Sequence, residues 1–198
     1  MHSFDELLRQ ALQQDHPYVI GLDFSLTSTG VYILSLKPDA NHPDFYYHVP
    51  TNKSTGSDPS RIDYISSLLI EDMQNPLYPV IAAAIEDYGP SGRTAGKILI
   101  RAELAGIVKH ALRNLVSIPY YTVSPNGLKK FATGSGRTAK GEKSKDAMLK
   151  AAAMEGFDTK VSDQADAFHA ARFCREIVNG ERVNVDYTRV NPKNYTFS

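Results

Sequence analysis

Cysteine is nearly absent: Cys174 stands alone in 198 residues. That excludes an internal disulfide framework and any zinc site built from clustered cysteines, and makes a reducing, cytoplasmic compartment the expectation. Long apolar runs are missing too. Stretches such as residues 80–85 fall far short of the roughly 20 residues that a membrane-spanning helix needs, so no membrane partner is expected. Residues 1–17 lack a signal-peptide pattern; they are polar and carry Asp5, Glu6 and Asp15, which also counts against a mitochondrial presequence. The sequence shows no internal repeat and no low-complexity tract. What remains is 42% hydrophobic and 22% charged, a balance that supports a folded core rather than disorder. The length suits one domain with extensions.

The net charge of +0 hides an asymmetry. Residues 1–90 hold 4 Lys/Arg against 12 Asp/Glu, whereas residues 91–198 hold 18 against 10. Between positions 129 and 150 the chain carries Lys129, Lys130, Arg137, Lys140, Lys143, Lys145 and Lys150 against Glu142 and Asp146. A charge run of this kind is often just a solvated face. Beside a carboxylate-rich region it is also what a metal-dependent nuclease requires.

Ser3 and Glu6 form a capping box that predicts a helix over about residues 4–14. Apolar strands are expected over 18–24, 30–36 and 44–50, the first two forming a hairpin around the polar turn 27–30. Asp58-Pro59 opens a helix to about residue 74, with Ile62, Ile65, Leu68, Leu69 and Met73 at helical spacing. Residues 80–86 read as a strand buried on both faces. A long helix follows over about 97–115, then a strand over 118–123 and helices over about 143–155 and 162–178. The order predicts a mixed five-stranded sheet with helices on both faces. The expected division is an N-terminal helical extension (1–17), a single α/β domain (18–178) and a polar C-terminal tail (179–198).

Asp23 and Glu86 each close an otherwise apolar strand. A carboxylate there is costly unless it is paired or binds a cation. If the two strands are parallel neighbours, both acids emerge at one sheet edge, where open α/β sheets place their ligands. Asp163, Asp166 and His169 follow at i, i+3 and i+6 on one broad helical face, so Asp163 and Asp166 can point at the same edge. One acid at a helix start is commonly a cap; four together repel strongly unless divalent cations lie between them. Hard oxygen donors favour magnesium or manganese over zinc. His169 could activate water or touch a phosphate, but a helix-face histidine near an acid is more often structural.

These residues resemble the RuvC-type resolvases of four-way (Holliday) DNA junctions, within the ribonuclease-H-like superfamily. Residues 20–25 with Thr29-Gly30 look like that family's opening strand and turn, and Ala84-Ile85-Glu86 like its second acidic motif. Gly134-Ser135-Gly136 with Glu142-Lys143-Ser144 resembles its glycine and lysine motif, and Asp163-Gln164-Ala165-Asp166-Ala167 its closing motif. The resemblance spans about residues 18–177, and its extra segments look like those of phage or viral members.

The resemblance implies a homodimeric, Mg2+-dependent endonuclease (Mn2+ substituting) that makes paired nicks in branched DNA. Asp23, Glu86, Asp163 and Asp166 would be its catalytic, metal-binding carboxylates, with Lys143 near the scissile phosphate. Tyr88, Arg93, Lys97, Lys129, Lys130, Arg137, Lys140 and Lys145 would contact DNA, Tyr88 by stacking in place of an aromatic residue absent at Gly89. Arg101 joins the basic residues expected to track phosphates. The long helix carries Ile100, Leu104, Ile107, Ala111 and Leu115 on one stripe and Leu99, Ala102, Ala105 and Leu112 on another, fitting either a helix internal to a monomer or one shared with a twin subunit. Alternatives are a general debranching nuclease acting on forks, flaps and D-loops, or a non-catalytic junction-binding module. An actin-like or sugar-kinase ATPase needs two related domains, more than this chain holds.

Overall fold

The computed structural model describes residues 13–87, 95–137 and 141–192, the side chains of Thr55 and of residues 95–98 excepted. The predicted opening helix falls almost wholly outside these residues. Strands β1 (Tyr18–Asp23), β2 (Ser28–Ser35), β3 (Phe45–Pro50), β4 (Val80–Glu86), β5 (Tyr120–Val123) and β6 (Tyr187–Val190) form one sheet in the order β3-β2-β1-β4-β5-β6. β1 pairs with β4 and β4 with β5 in parallel; the remaining pairs are antiparallel. The helices are α1 (Asp58–Met73), α2 (Ala95–Asn114), α3 (Pro125–Thr133), α4 (Ser144–Met154) and α5 (Ser162–Val178). No described helix is long and apolar enough to cross a membrane.

Alternation along the central strands sorts the core into two layers. Tyr18, Ile20 and Leu22 of β1 pack with Ile62, Ile65 and Leu69 of α1 and with Leu104, Val108 and Leu112 of α2. Val19 faces the other way and joins Ala82, Ala84, Met148 of α4 and the alanines of α5. The expected α/β architecture with helices on both faces is therefore present.

The expected five strands are six, and one helix escaped the sequence reading. β6 is largely exposed and gains its hydrogen bonds from β5, so no apolar alternation marks it; Tyr187 anchors it against Tyr121 and Phe173. α3 did carry a signal, a capping serine directly before a proline; at α1 the cap lies one residue earlier than expected, at Ser57, with Asp58 and Pro59 in the first turn. Ser124 Oγ accepts a hydrogen bond from the Gly127 amide, and Gly134 closes the helix in the left-handed region at φ 74°. Its short length concealed it.

α5 packs closely on the sheet. A β-carbon on Gly21 would stand 2.1 Å from the Ala167 carbonyl oxygen and 2.3 Å from the Ala171 nitrogen. One on Gly30 would stand 1.9 Å from the Asp163 carbonyl oxygen. Asp163, Ala167 and Ala171 recur every four residues, so one stripe of α5 runs across β1 and β2 with backbone meeting backbone. Small residues on both sides make that approach possible. Gly21→Ala is expected to destabilise the protein by about 1–3 kcal/mol, because the atoms in its way are backbone. Urea unfolding measures this; an unchanged midpoint would mean that α5 can retreat freely.

Candidate active site

β1 and β4 run side by side in parallel, with Leu22 opposite Ile85. One residue further on, Asp23 and Glu86 leave the sheet at the same edge. Alternation puts Asp23 on the side of Val19 and Gly21, and Glu86 on the side of Ala82 and Ala84, which is the α5 face. Gly30 pairs with Asp23 across the β1–β2 hairpin, and its missing side chain admits the start of α5 directly above. Carboxylate oxygens of Asp23, Asp163 and Asp166 consequently lie within 4.8 Å of one another.

Glu86 belongs to this group electrostatically. Burial raises the Asp23 carboxyl well above its usual range, and the negative charges of Glu86, Asp166 and Asp163 push it further. Glu86 is raised to about 8, by burial first and then by Asp166 and Asp163, with Arg101 opposing. Asp166 is raised to about 7 by burial and by Asp163, against the pull of Lys145. The cluster thus holds protons near neutral pH because too much negative charge is confined there. An all-oxygen set in such proximity fits a hard divalent cation, which relieves the repulsion and displaces the protons.

The remaining expected residues separate into groups. Lys145 Nζ is 2.9 Å from Ser162 Oγ and 3.8 Å from Asp163 Oδ1, so it lies at the mouth of the cluster. Lys143 sits two residues earlier, at the N-cap of α4. Lys129 Nζ reaches Ser144 Oγ at 3.4 Å, which carries the basic surface from α4 to α3. Lys130 and Arg137 are exposed on the same layer. Lys97 lies in the first turn of α2, its side chain not described, and Tyr88, Arg93 and Lys140 lie outside the described residues.

Arg101, expected among the phosphate contacts, sets its charge against Asp23 and Glu86. It also borders a cavity of about 250 Å³ that includes Ser25, Thr27, Lys53 and Arg61. Arg61 is buried and anchors the loop after β1 by donating to the Leu26 carbonyl at 2.8 Å and to Thr51 Oγ1 at 3.0 Å. Sequence spacing gave no hint of this anchor. Asp87 turns away from the cluster and pairs with Lys109 at 3.3 Å.

His169 takes no part in the cluster. It is fully buried and its Nε2 lies 3.2 Å from the Met148 carbonyl oxygen, tying α5 to α4. Burial lowers it to about 4, so it is neutral at physiological pH. A second cavity, about 420 Å³, opens near the start of β4 and the end of α2. None of its lining residues ionises, and it lies at the opposite edge of the sheet from the acids.

No protein-family model matches the sequence. No curated protein matches it either. Solved structures do. Thermus thermophilus RuvC is 19% identical with a TM-score of 0.59, over 82% of this chain and 95% of that one. The T. thermophilus RuvC in complex with a Holliday junction substrate gives 18% identity and a TM-score of 0.61, over 87% of this chain and 100% of that one. The chain has the RuvC fold.

The raised carboxyls imply a measurable pH dependence. The unfolded chain releases carboxyl protons near pH 4, whereas folded Glu86 and Asp166 hold theirs to about 8 and about 7. Between these limits the folded state binds more protons than the unfolded one, so metal-free stability falls as pH rises. Mg2+ or Mn2+ should raise the melting temperature, and by more at pH 8 than at pH 5. Calorimetry at the two pH values checks this; an equal rise at both would argue against a protonated cluster.

Proposed function

We propose that this chain is a divalent-metal-dependent endonuclease that nicks four-way DNA junctions. The observation that carries the reading is the convergence of Asp23, Glu86, Asp163 and Asp166 at one sheet edge of a RuvC fold, with Lys145 beside them. The T. thermophilus RuvC structure with a Holliday junction substrate supports branched DNA as the ligand class.

Asp23, Glu86, Asp163 and Asp166 would hold the cations, Mg2+ or Mn2+. Bound there, such ions supply water activation and neutralise charge on the leaving oxygen of a phosphodiester. The exposed Lys145 ammonium is placed to meet a non-bridging phosphate oxygen arriving at the cluster. Arg101 offsets the negative charge of Asp23 and Glu86 from the α2 side. Lys129, Lys130, Arg137 and Lys143 extend a positive surface along α3 and α4, suited to phosphates rather than to base edges. Tyr88, Arg93, Lys97 and Lys140 belong to the same proposed DNA surface by sequence.

Asp23→Asn keeps the side-chain shape and removes one charge from the cluster. Purified protein with Mg2+ on a labelled four-way junction should give symmetric nicks, lost by at least about 100-fold in this variant, while junction binding persists. Full activity in the variant would remove Asp23 from the site. Cutting of forks and flaps as fast as the junction would favour a general debranching nuclease, and binding without cutting in either cation would favour a non-catalytic module.

Paired nicking of a two-fold junction calls for a two-fold protein, and α2 offers a surface for it. Its Leu104, Ala105, Val108, Ala111 and Leu112 fill the core, yet Leu99 is 71% exposed and Ile107 37% exposed on the outer side. Ala102 and Gly106 are exposed between them. We read Leu99, Ala102, Gly106 and Ile107 as the homodimer face; of the stripes expected from sequence, Ala105 and Leu112 turn into the core and Ile107 turns outward. Light scattering should give a dimer, and Leu99→Glu with Ile107→Glu should give a folded monomer; a wild-type monomer at micromolar concentration would overturn the assignment.

A further inference from the structure

The start of β1 carries a second cluster of metal-binding side chains, far from the carboxylates. His16, Asp39 and His42 each offer one donor atom, and these atoms lie within 4.8 Å of one another. His16 lies two residues before β1, and Asp39 and His42 lie in the connection from β2 to β3. The seven positions from His16 to Asp23, at about 3.3 Å each along a strand, put this cluster roughly 23 Å from the other. It therefore shares no residue and no edge of the sheet with the candidate active site.

The two oxygens of Asp39 are in unequal circumstances. Oδ1 accepts from the amides of Asn41 at 2.8 Å and His42 at 2.9 Å, and the His42 ring contacts it through Nδ1 at 2.8 Å. Those contacts hold the Asp39 carboxyl below its ordinary range, the His42 side chain foremost. Oδ2 instead faces His16 Nδ1 at 3.7 Å, too far for a hydrogen bond. His16 Nδ1 is buried and has no hydrogen-bond partner among the described residues. Two donors bound to one tetrahedral ion at about 2.0–2.1 Å stand about 3.3 Å apart, close to the gap observed.

The two histidine rings lie against each other. They stack with centroids 3.2 Å apart and planes 6° from parallel. His16 holds its place with φ at 55°, in the left-handed region that side chains other than glycine seldom adopt. Neighbouring contacts fix the two segments against each other: Leu36 N donates to the Pro17 carbonyl at 2.9 Å, and Lys37 Nζ to the Gln14 carbonyl at 3.2 Å. A buried, unpaired imidazole nitrogen therefore faces a carboxylate oxygen across a gap of metal-bridging width, with a second imidazole stacked alongside.

We propose that His16, Asp39 and His42 bind a Zn2+-class transition-metal ion that staples the segment before β1 to the β2–β3 connection. Two imidazoles and one carboxylate form a borderline donor set that favours Zn2+ over Mg2+, the reverse of the all-oxygen cluster at Asp23. Both histidines coordinate through Nδ1, which requires each ring to carry its proton on Nε2 and to turn out of the parallel stack, because an imidazole lone pair lies in the plane of its ring. The hydrogen bond between His42 and Asp39 is thereby exchanged for a shared ion. A water completes the fourth position in the partly exposed loop.

The test titrates Zn2+ alone into the metal-free full chain in the presence of excess Mg2+, which occupies the hard-oxygen cluster. Calorimetry should find one Zn2+ per chain, and the melting temperature should rise. His42→Ala and His16→Asn should each weaken Zn2+ binding by at least about 100-fold, the upper end of what loss of a mere supporting residue costs, and abolish the rise. Asp23→Asn should leave both intact. Co2+ gives a readout independent of stability: the intense visible bands of tetrahedral coordination should appear in the wild type and vanish in the two histidine variants. No Zn2+ uptake by the wild type, or uptake and visible bands unchanged in both histidine variants, would overturn the proposal. Circular dichroism of the variants confirms that they are folded, and Asp39→Asn supplies a milder third case with the same expected loss.

Discussion

The contact between α5 and the paired strands β1 and β2 is the constraint on which the candidate active site depends. Gly21 and Gly30 leave no side chain in the path of the helix, and the Ala167 and Ala171 positions answer with small groups. The helix start is thereby lowered onto the hairpin position where Gly30 pairs with Asp23. A side chain at either glycine would lift α5 and carry Asp163 and Asp166 away with it. Packing at this one seam sets the spacing of the acids.

The same seam creates an electrostatic load. Acids that meet within 4.8 Å, Asp23 buried and Asp163 and Asp166 half-buried, cannot all ionise without a compensating charge. The upward displacement of Asp23, Glu86 and Asp166 expresses that load in the metal-free chain. Arg101 and Lys145 offset part of it from opposite sides of the cluster. Stability is lost locally where the acids meet, and a cation bound as proposed would restore it, while the hydrophobic layers on the two faces of the sheet bear the fold.

The basic surface is arranged differently, with little burial and few fixed contacts. Lys129 and Lys145 are steadied by the hydroxyls of Ser144 and Ser162, and Lys130 and Arg137 extend outward from the same layer. Such side chains suit a polyanion whose phosphates are met by charge and approximate position. Precision is concentrated at the carboxylates, and tolerance lies around them.

Much of this was legible in the chain itself. Continuous apolar runs marked β1 and β4, and a carboxylate closing each run was conspicuous because apolar strands rarely end on a charge by accident. A proline in the first turn and apolar periodicity marked α1, and the spacing of Asp163, Asp166 and His169 set them on one face of α5. The short helix α3 and the exposed strand β6 went unseen: the first offers a single proline-capped turn or two, and the second takes its hydrogen bonds from β5 without any apolar pattern of its own. Local sequence could nominate Asp23, Glu86, Asp163 and Asp166, since residue type and spacing along one element are local properties. Only the tertiary structure could bring Glu86 beside Asp23, turn His169 toward Met148, set Arg101 against the acids and join His16 to His42. These depend on distances between segments remote in sequence, which parallel strand pairing and helix packing fix and no local pattern encodes.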